Sequence, residues 1–162
     1  MGGKLVSGKK ISSNEAHKII EKVKKVIGDK GVYVTGSLRR GKPVVGDLDL
    51  VIVRQEASSD LNSRLKELTG KDLSNRKTCS FVYENVQIDL NMCNDDIKGS
   101  YILHWTGSTK ENVRLRKKAK KLGFSLSQNG LIDGMQNNTS KNKTEKEIYA
   151  LLDMKYVRPE DR

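Results

Sequence analysis

Apolar positions recur with two different periods along the first two thirds of the chain. Ile19, Ile20, Val23, Val26 and Ile27 follow a helical spacing behind the capping box Ser12-Ser13-Asn14-Glu15, and Gly28 ends the run. VYVT at 32–35 and DLDLVIV at 47–53 read as strands joined by a connection rich in glycine and arginine. Leu61, Leu65 and Leu68 mark a second helix that stops at Gly70, and CSFVY and VQIDLNM flank Glu84-Asn85 as a hairpin. These elements assemble into a helix-flanked sheet of four or more strands.

The pattern changes after about residue 98. TKENVRLRKKAKKLGF carries seven basic residues between Lys110 and Lys121, with Leu115, Ala119 and Leu122 as its consistent apolar stripe, so it predicts a helix with a thin core face and a wide cationic one. Asn129-Gly130 signals a hairpin turn between FSLSQ and LI, and the capping box Thr144-Glu145-Lys146-Glu147 starts a last helix packed through Ile148, Leu151 and Leu152. The expected class is α+β, with a sheet-containing unit over residues 1–98 and a smaller lobe over 99–162.

A chain of 162 residues with 35% hydrophobic content can bury a substantial core. Its 31 basic against 20 acidic residues favour a polyanionic partner, of which nucleic acid is the commonest. No apolar run approaches the roughly 18 residues of a membrane span, MGGKLVSGKK lacks the apolar stretch of a signal peptide, and Val6 stands where N-myristoylation of Gly2 needs Ser or Thr. The expectation is a protein of the cytoplasm or nucleus with no membrane partner, in which Cys79 and Cys93 remain free thiols.

Against this basic background, two carboxylates open an apolar strand. Alternation puts Asp47 and Asp49 on one face with Val51 and Val53, their Cα atoms about 6.6 Å apart, while Leu48, Leu50 and Ile52 face the other way. On the later strand Val86, Ile88, Leu90 and Met92 share one face and Gln87, Asp89 and Asn91 the opposite one, so Asp89 is a candidate third ligand. The plain alternative is a set of solvated strand-end acids. It is weakened because like charges at the mouth of an apolar strand are costly without a cation. Oxygen donors with no neighbouring His or Cys suit Mg²⁺ or Mn²⁺ rather than zinc. Gly36-Ser37, directly after a strand, offers backbone N–H groups to an anion, with Arg39 and Arg40 following. GSLRRGK also fits the first seven positions of a P-loop, but Pro43 occupies the eighth, where a hydroxyl and a continuing helix are required.

Gly36-Ser37, nine residues, Asp47-Leu48-Asp49 and a later strand aspartate resemble the nucleotidyltransferase superfamily that includes polymerase beta. The fuller run GSLRRG…GDLD, HWTGSTKENVRLRKKAKKLGF at 104–124 and the C-terminal TEKEIYALLDMKYVRPEDR are similar to the family X DNA polymerases, from about residue 32 to the last residue. There is no room before Gly36 for the lyase domain and helix-hairpin-helix clamp usual in that family. The expected architecture therefore resembles the smallest viral members, with a catalytic palm and a C-terminal lobe alone.

The resemblance implies a template-directed DNA polymerase using two Mg²⁺ ions, with Mn²⁺ as a substitute, on primer-template or gapped DNA and dNTP, and acting as a monomer. It implies that Asp47 and Asp49 bridge the metals and that Asp89 holds the catalytic one. Gly36, Ser37, Arg40 and Gly46 would bind the triphosphate; His104, Trp105 and Gly107 would line the sugar pocket and Asn112 the base edge. His104 departs from the tyrosine common at its position. Arg116 would face the templating strand, with Arg114, Lys117, Lys118, Lys120 and Lys121 on DNA phosphates. Two other readings stay open: a template-independent nucleotidyltransferase that shares the acids, and a non-catalytic DNA-binding module in which they are relics.

Overall fold

The computed structural model describes residues 9–162. The leading MGGKLVSG, on which the signal-peptide and myristoylation expectations rest, lies outside the described residues. The first described element is a two-residue strand, β1 (Ile11–Ser12), and α1 (Ser13–Ile27) follows it directly. Ser12 is the N-cap: its hydroxyl accepts from the Glu15 N–H while the Glu15 carboxylate accepts from the Ser12 N–H, so the expected capping box is formed. Ala16, Ile19, Ile20, Val23 and Ile27 are buried along one face, and Gly28 ends the helix at φ 94°.

Next come β2 (Val32–Val34), a single helical turn α2 (Gly36–Arg39), β3 (Val44–Val45) and β4 (Asp47–Val53). β3 pairs antiparallel with β1, tethering the glycine- and arginine-rich connection to the start of α1. Beyond α3 (Leu61–Thr69), β5 (Thr78–Tyr83) and β6 (Val86–Cys93) form the anticipated hairpin. Glu84 and Asn85 both take positive φ, 50° and 65°, as a two-residue turn between right-twisted strands requires. The four-stranded sheet runs β2-β4-β6-β5, with β4 and β6 parallel and the outer pairs antiparallel. Leu48, Leu50 and Ile52 of β4 and Ile88, Leu90 and Met92 of β6 enter one core with α1 and α3.

The opposite sheet face is covered by α4 (Lys98–Thr106), which the apolar periodicity did not reveal. Tyr101, Ile102 and Leu103 are successive buried residues, so this helix has no polar stripe to betray its period. Tyr101 and Ile102 pack on Val51, Val53 and Cys93. Val51 and Val53 are therefore covered by a helix while Asp47 and Asp49, on the same face, lie at the open end of the strand.

Three contacts differ from expectation in the C-terminal part. In α5 (Thr109–Lys121), Leu115 and Ala119 are buried but Leu122 is 43% exposed, because the helix closes there and Phe124 turns inward instead. In the hairpin of β7 (Ser125–Ser127) and β8 (Gly130–Ile132), the turn residues are Gln128 and Asn129. Gly130 is the first residue of β8; a Cβ there would lie 2.4 Å from the Asn138 side chain, so the glycine serves close approach rather than the turn. The last helix, α6 (Glu145–Leu151), has the expected capping box, and Ile148, Tyr149 and Leu152 join Leu103, Leu115, Ala119 and Leu131 in a second core. Leu151 faces outward at 40% exposure.

An ion-pair chain ties the two cores together. Arg39 donates to the Glu145 carboxylate at 2.6 and 3.0 Å and to the Thr106 hydroxyl at 2.6 Å. Glu145 also accepts from Arg162 at 2.7 Å, and the Arg162 side chain is fully buried against Tyr149 and Tyr156. Removing Glu145 strands a buried guanidinium, whereas the solvent-exposed Lys22–Glu84 pair has little to lose. Glu145→Ala is expected to destabilise by about 3–5 kcal/mol, lowering the melting temperature by roughly 10 °C. Lys22→Ala should shift it by about a degree at most, and equal melting of the two variants by calorimetry would contradict this role for Glu145.

Candidate active site

The parallel pairing of β4 with β6 sets Asp49 directly opposite Asp89 and Asp47 opposite Gln87. Neighbouring strands lie about 4.8 Å apart, so carboxylates that are forty residues apart in the chain are brought side by side. Burial first, then the charges of Asp47 and Asp89, push the Asp49 carboxyl up to about 7, with Arg40 pulling weakly the other way. The backbone of Asp49 is clamped: fully buried Thr35 donates its N–H (2.9 Å) and its hydroxyl (3.1 Å) to the Asp49 carbonyl.

Gly36 follows Thr35 at φ 64°, and a Cβ on it would come within 2.2 Å of Asp49 Oδ2. Only glycine permits this approach. Ser37 occupies the same turn, partly buried, and Leu38 anchors the turn in the main core. Arg40 Nη1 donates to the Thr106 carbonyl at 2.6 Å, next to Gly107, which joins the GSLRRG turn to the end of α4. Gly46 precedes β4 with open space at its Cβ position. Arg39, by contrast, is engaged in the inter-core ion pair.

A cleft of about 630 Å³ opens beside these acids, lined by Ser80 and Asp89 from the sheet and by His104, Trp105, Arg116 and Gln128 from the C-terminal part. His104 Nδ1 lies 3.2 Å from an Arg116 guanidinium nitrogen, and its ring meets Trp105 edge-on at 5.0 Å. Burial and then the Arg116 charge hold the His104 imidazole below its ordinary range, so it is neutral at neutral pH. Trp105 Nε1 donates to Gln128 Oε1 at 3.1 Å.

Other expected site residues are occupied within the fold. Asn112 donates its amide to the His104 carbonyl at 2.9 Å, satisfying an orphan acceptor at the end of α4. Arg114 is held by the largely buried Glu111, which also accepts from the Tyr149 hydroxyl. Lys117, Lys118 and Lys121 line a separate groove of about 960 Å³ against the chain's C-terminal segment, and Lys120 is exposed.

Among the described residues no three carboxylate, imidazole or thiol groups stand close enough to grip a metal ion as they are oriented. The Asp89 carboxylate is turned along the sheet, accepting from the Ser80 hydroxyl and the Gln87 amide. The donor set nevertheless fits a hard divalent cation: Asp49 and Asp89 are paired in register with Asp47 two residues away, and Asp49 is held at a raised pKa by burial first and then by the two neighbouring charges. Thr35, Ser80, Gln87 and Gln128 escaped sequence reasoning as site residues. Face alternation placed Gln87 beside Asp89, but the partner of Ser80 depends on the β5–β6 register.

Comparison with known proteins identifies relatives of the chain. The chain is 30% identical over 172 aligned positions to Repair DNA polymerase X of African swine fever virus (isolate Tick/South Africa/Pretoriuskop Pr4/1996), covering 98% of each. It belongs to the family X DNA polymerases. Residues 101–162 match the DNA polymerase beta thumb family. Two longer family X relatives are the DNA polymerase/3'-5' exonuclease PolX of Bacillus subtilis, 28% identical over 78% of this chain and 23% of its own length, and DNA polymerase lambda of Arabidopsis thaliana, 27% identical over 78% of this chain and 31% of its own.

Gathering these acids costs the metal-free fold stability when Asp49 is ionised. Asp49 is partly buried and its folded pKa lies above that of a free aspartate. The contribution of Asp49 to stability therefore falls as pH rises from about 4 through 7, and its penalty is complete above 7. Asp49→Asn in a chelator should raise the melting temperature by a few degrees at pH 8, on the order of 1–2 kcal/mol after allowing for solvent at the carboxylate, and by little at pH 4. A lowered melting temperature at pH 8 would contradict a net cost of holding the Asp49 charge in the metal-free fold.

Proposed function

We propose that this chain is a template-directed DNA polymerase that fills short gaps in DNA repair by two-metal nucleotidyl transfer. The observation that carries the reading is the register that sets Asp49 beside Asp89, two residues from Asp47, with Gly36 packed against the Asp49 carboxylate. Asp47, Asp49 and Asp89 would hold two Mg²⁺ ions, or Mn²⁺ in their place, and two such ions activate the attacking oxygen and stabilise charge on the leaving group. In the reaction the primer 3′-oxygen bonds to the α-phosphorus of the dNTP as the bond to pyrophosphate breaks, and the 3′-hydroxyl proton is lost to solvent.

The chain's own residues bind and orient. The Gly36-Ser37 turn and Arg40 meet the triphosphate, with Gly46 leaving backbone access beside it. His104, Trp105 and Gly107 bound the sugar pocket, and Asn112 shapes it by holding the end of α4. Arg116 faces the templating strand from the cleft wall. Lys117, Lys118, Lys120 and Lys121, with Arg114 beside them, contribute sequence-independent attraction to phosphates. The palm comprises residues 1–98 and the nucleotide-selecting lobe 99–162. The enzyme works as a monomer in the cytoplasm or nucleus; among the described residues no helix is long and apolar enough to cross a membrane.

Asp49→Asn and Asp89→Asn are expected to lower single-nucleotide gap filling by at least about a thousandfold in Mg²⁺, with little change in affinity for gapped DNA. Wild-type rates in either variant would refute the metal site. Incorporation that is unchanged when the template strand is omitted would favour the template-independent reading instead.

Arg116 and Lys118 separate cleft function from general attraction. Arg116→Ala should reduce kcat/KM for gap filling about tenfold, roughly 1.4 kcal/mol, without lowering the melting temperature. Lys118→Ala should weaken DNA binding severalfold and flatten its salt dependence, leaving kcat close to wild type. Identical kinetics for the two variants would reduce Arg116 to an ordinary member of the cationic face.

A further inference from the structure

The Asp89 carboxylate is held by donors from two strands. Oδ1 accepts from two groups at once: the hydroxyl of Ser80, which stands opposite Asp89 in the β5–β6 register, and Nε2 of Gln87, two residues earlier on the same strand face, at 3.0 Å. Oδ2 receives a single longer contact, 3.3 Å, from that same Nε2. Gln87 is 4% exposed, and Ser80 comes from the edge strand β5, so the two donors approach from different strands. Both are uncharged.

Neutral donors have a specific consequence here. A lysine or arginine at either position would neutralise Asp89 and compete with a cation for it, whereas a hydroxyl and an amide stabilise the ionised carboxylate and leave its charge in place. They also distinguish the oxygens. Oδ1 has both acceptor directions taken, so Oδ2 is the oxygen with capacity left for a ligand. Asp49, by contrast, presses its Oδ2 against Gly36.

Resting on the two-metal reading above, we propose that Ser80 and Gln87 are positioning residues that fix Asp89 as a one-oxygen ligand through Oδ2. By occupying Oδ1 they would leave Oδ2 as the oxygen that Asp89 offers to an ion. Groups that orient a metal ligand in this way commonly set affinity by 10- to 100-fold.

The test uses Mn²⁺ alone as probe, titrated into the full chain without DNA or dNTP and followed by electron paramagnetic resonance, together with thermal unfolding in a chelator. Asp89→Asn defines the ion that Asp89 holds. Ser80→Ala and Gln87→Met should each raise the dissociation constant of that ion about tenfold, and Ser80→Thr, which restores a hydroxyl, should recover most of the loss. In gap filling, the Mg²⁺ concentration for half-maximal rate should rise severalfold for Ser80→Ala and Gln87→Met, with a smaller effect on the rate at saturating metal. A structural role alone would lower the melting temperature and leave the metal titration where it was. Wild-type Mn²⁺ binding in both Ser80→Ala and Gln87→Met, with Asp89→Asn impaired, overturns this inference and spares the two-metal reading. Wild-type Mn²⁺ binding in Asp89→Asn overturns both.

Discussion

The molecule depends on one pairing, the parallel ladder between β4 and β6. Seven consecutive residue pairs, from Asp47–Gln87 to Val53–Cys93, run along it at the centre of the sheet. Side chains alternate with a period of two, so a slip of one residue would turn Asp49 or Asp89 into the core and bring Leu48 or Leu90 to the solvent. The apolar faces of the two strands are buried completely or nearly so, and this burial fixes the register far more strongly than the acids could on their own. The acids are held in place chiefly by hydrophobic side chains on the opposite face of the sheet.

The acidic face shows how one strand serves two purposes. Towards its C-terminal end the side chains that share a face with the acids are Val51 and Val53, sealed beneath Tyr101 and Ile102. Where α4 no longer covers the strand, the same face carries carboxylates. The cost of gathering them is confined to a short segment flanked by two well-packed regions and braced by fully buried Thr35 through the Asp49 carbonyl. Arg39 and Arg40 then divide between structure and site: Arg39 is spent on Glu145, and Arg40 reaches the Thr106 carbonyl beside Gly107. Through these two side chains the turn after β2 is tied to the C-terminal core and to the end of α4.

Much of this was legible in the sequence because it is encoded locally. The strand DLDLVIV has the bounds its alternation implies, and both capping boxes form, since each depends on residues within one turn of another. The GSLRRG…GDLD spacing located the acidic edge for the same reason. Three features were hidden. α4 is apolar through Tyr101, Ile102 and Leu103 and so lacks a helical stripe; Gly130 looked like a turn residue but makes room for Asn138; and Asn112 and Arg114 looked free although His104 and Glu111 hold them. The deciding partner of Gly130 and of Asn112 lies outside their own element, whereas Arg114 is held by Glu111 one turn earlier on the same helix.

The division between local and distant information also explains the cationic helix. Its sequence carries seven basic residues, yet the fold gives them unequal surroundings. Arg114 is tied to Glu111, Arg116 stands against a neutral His104 at the cleft, and Lys117, Lys118 and Lys121 border a separate groove. A screened, solvent-facing lysine acts on a polyanion mainly through its charge, and any neighbour could replace it. Arg116 differs because an imidazole held below its ordinary pKa offers the guanidinium an acceptor without cancelling its charge. The result is an oriented cation that lines the same cleft as the Asp89 carboxylate.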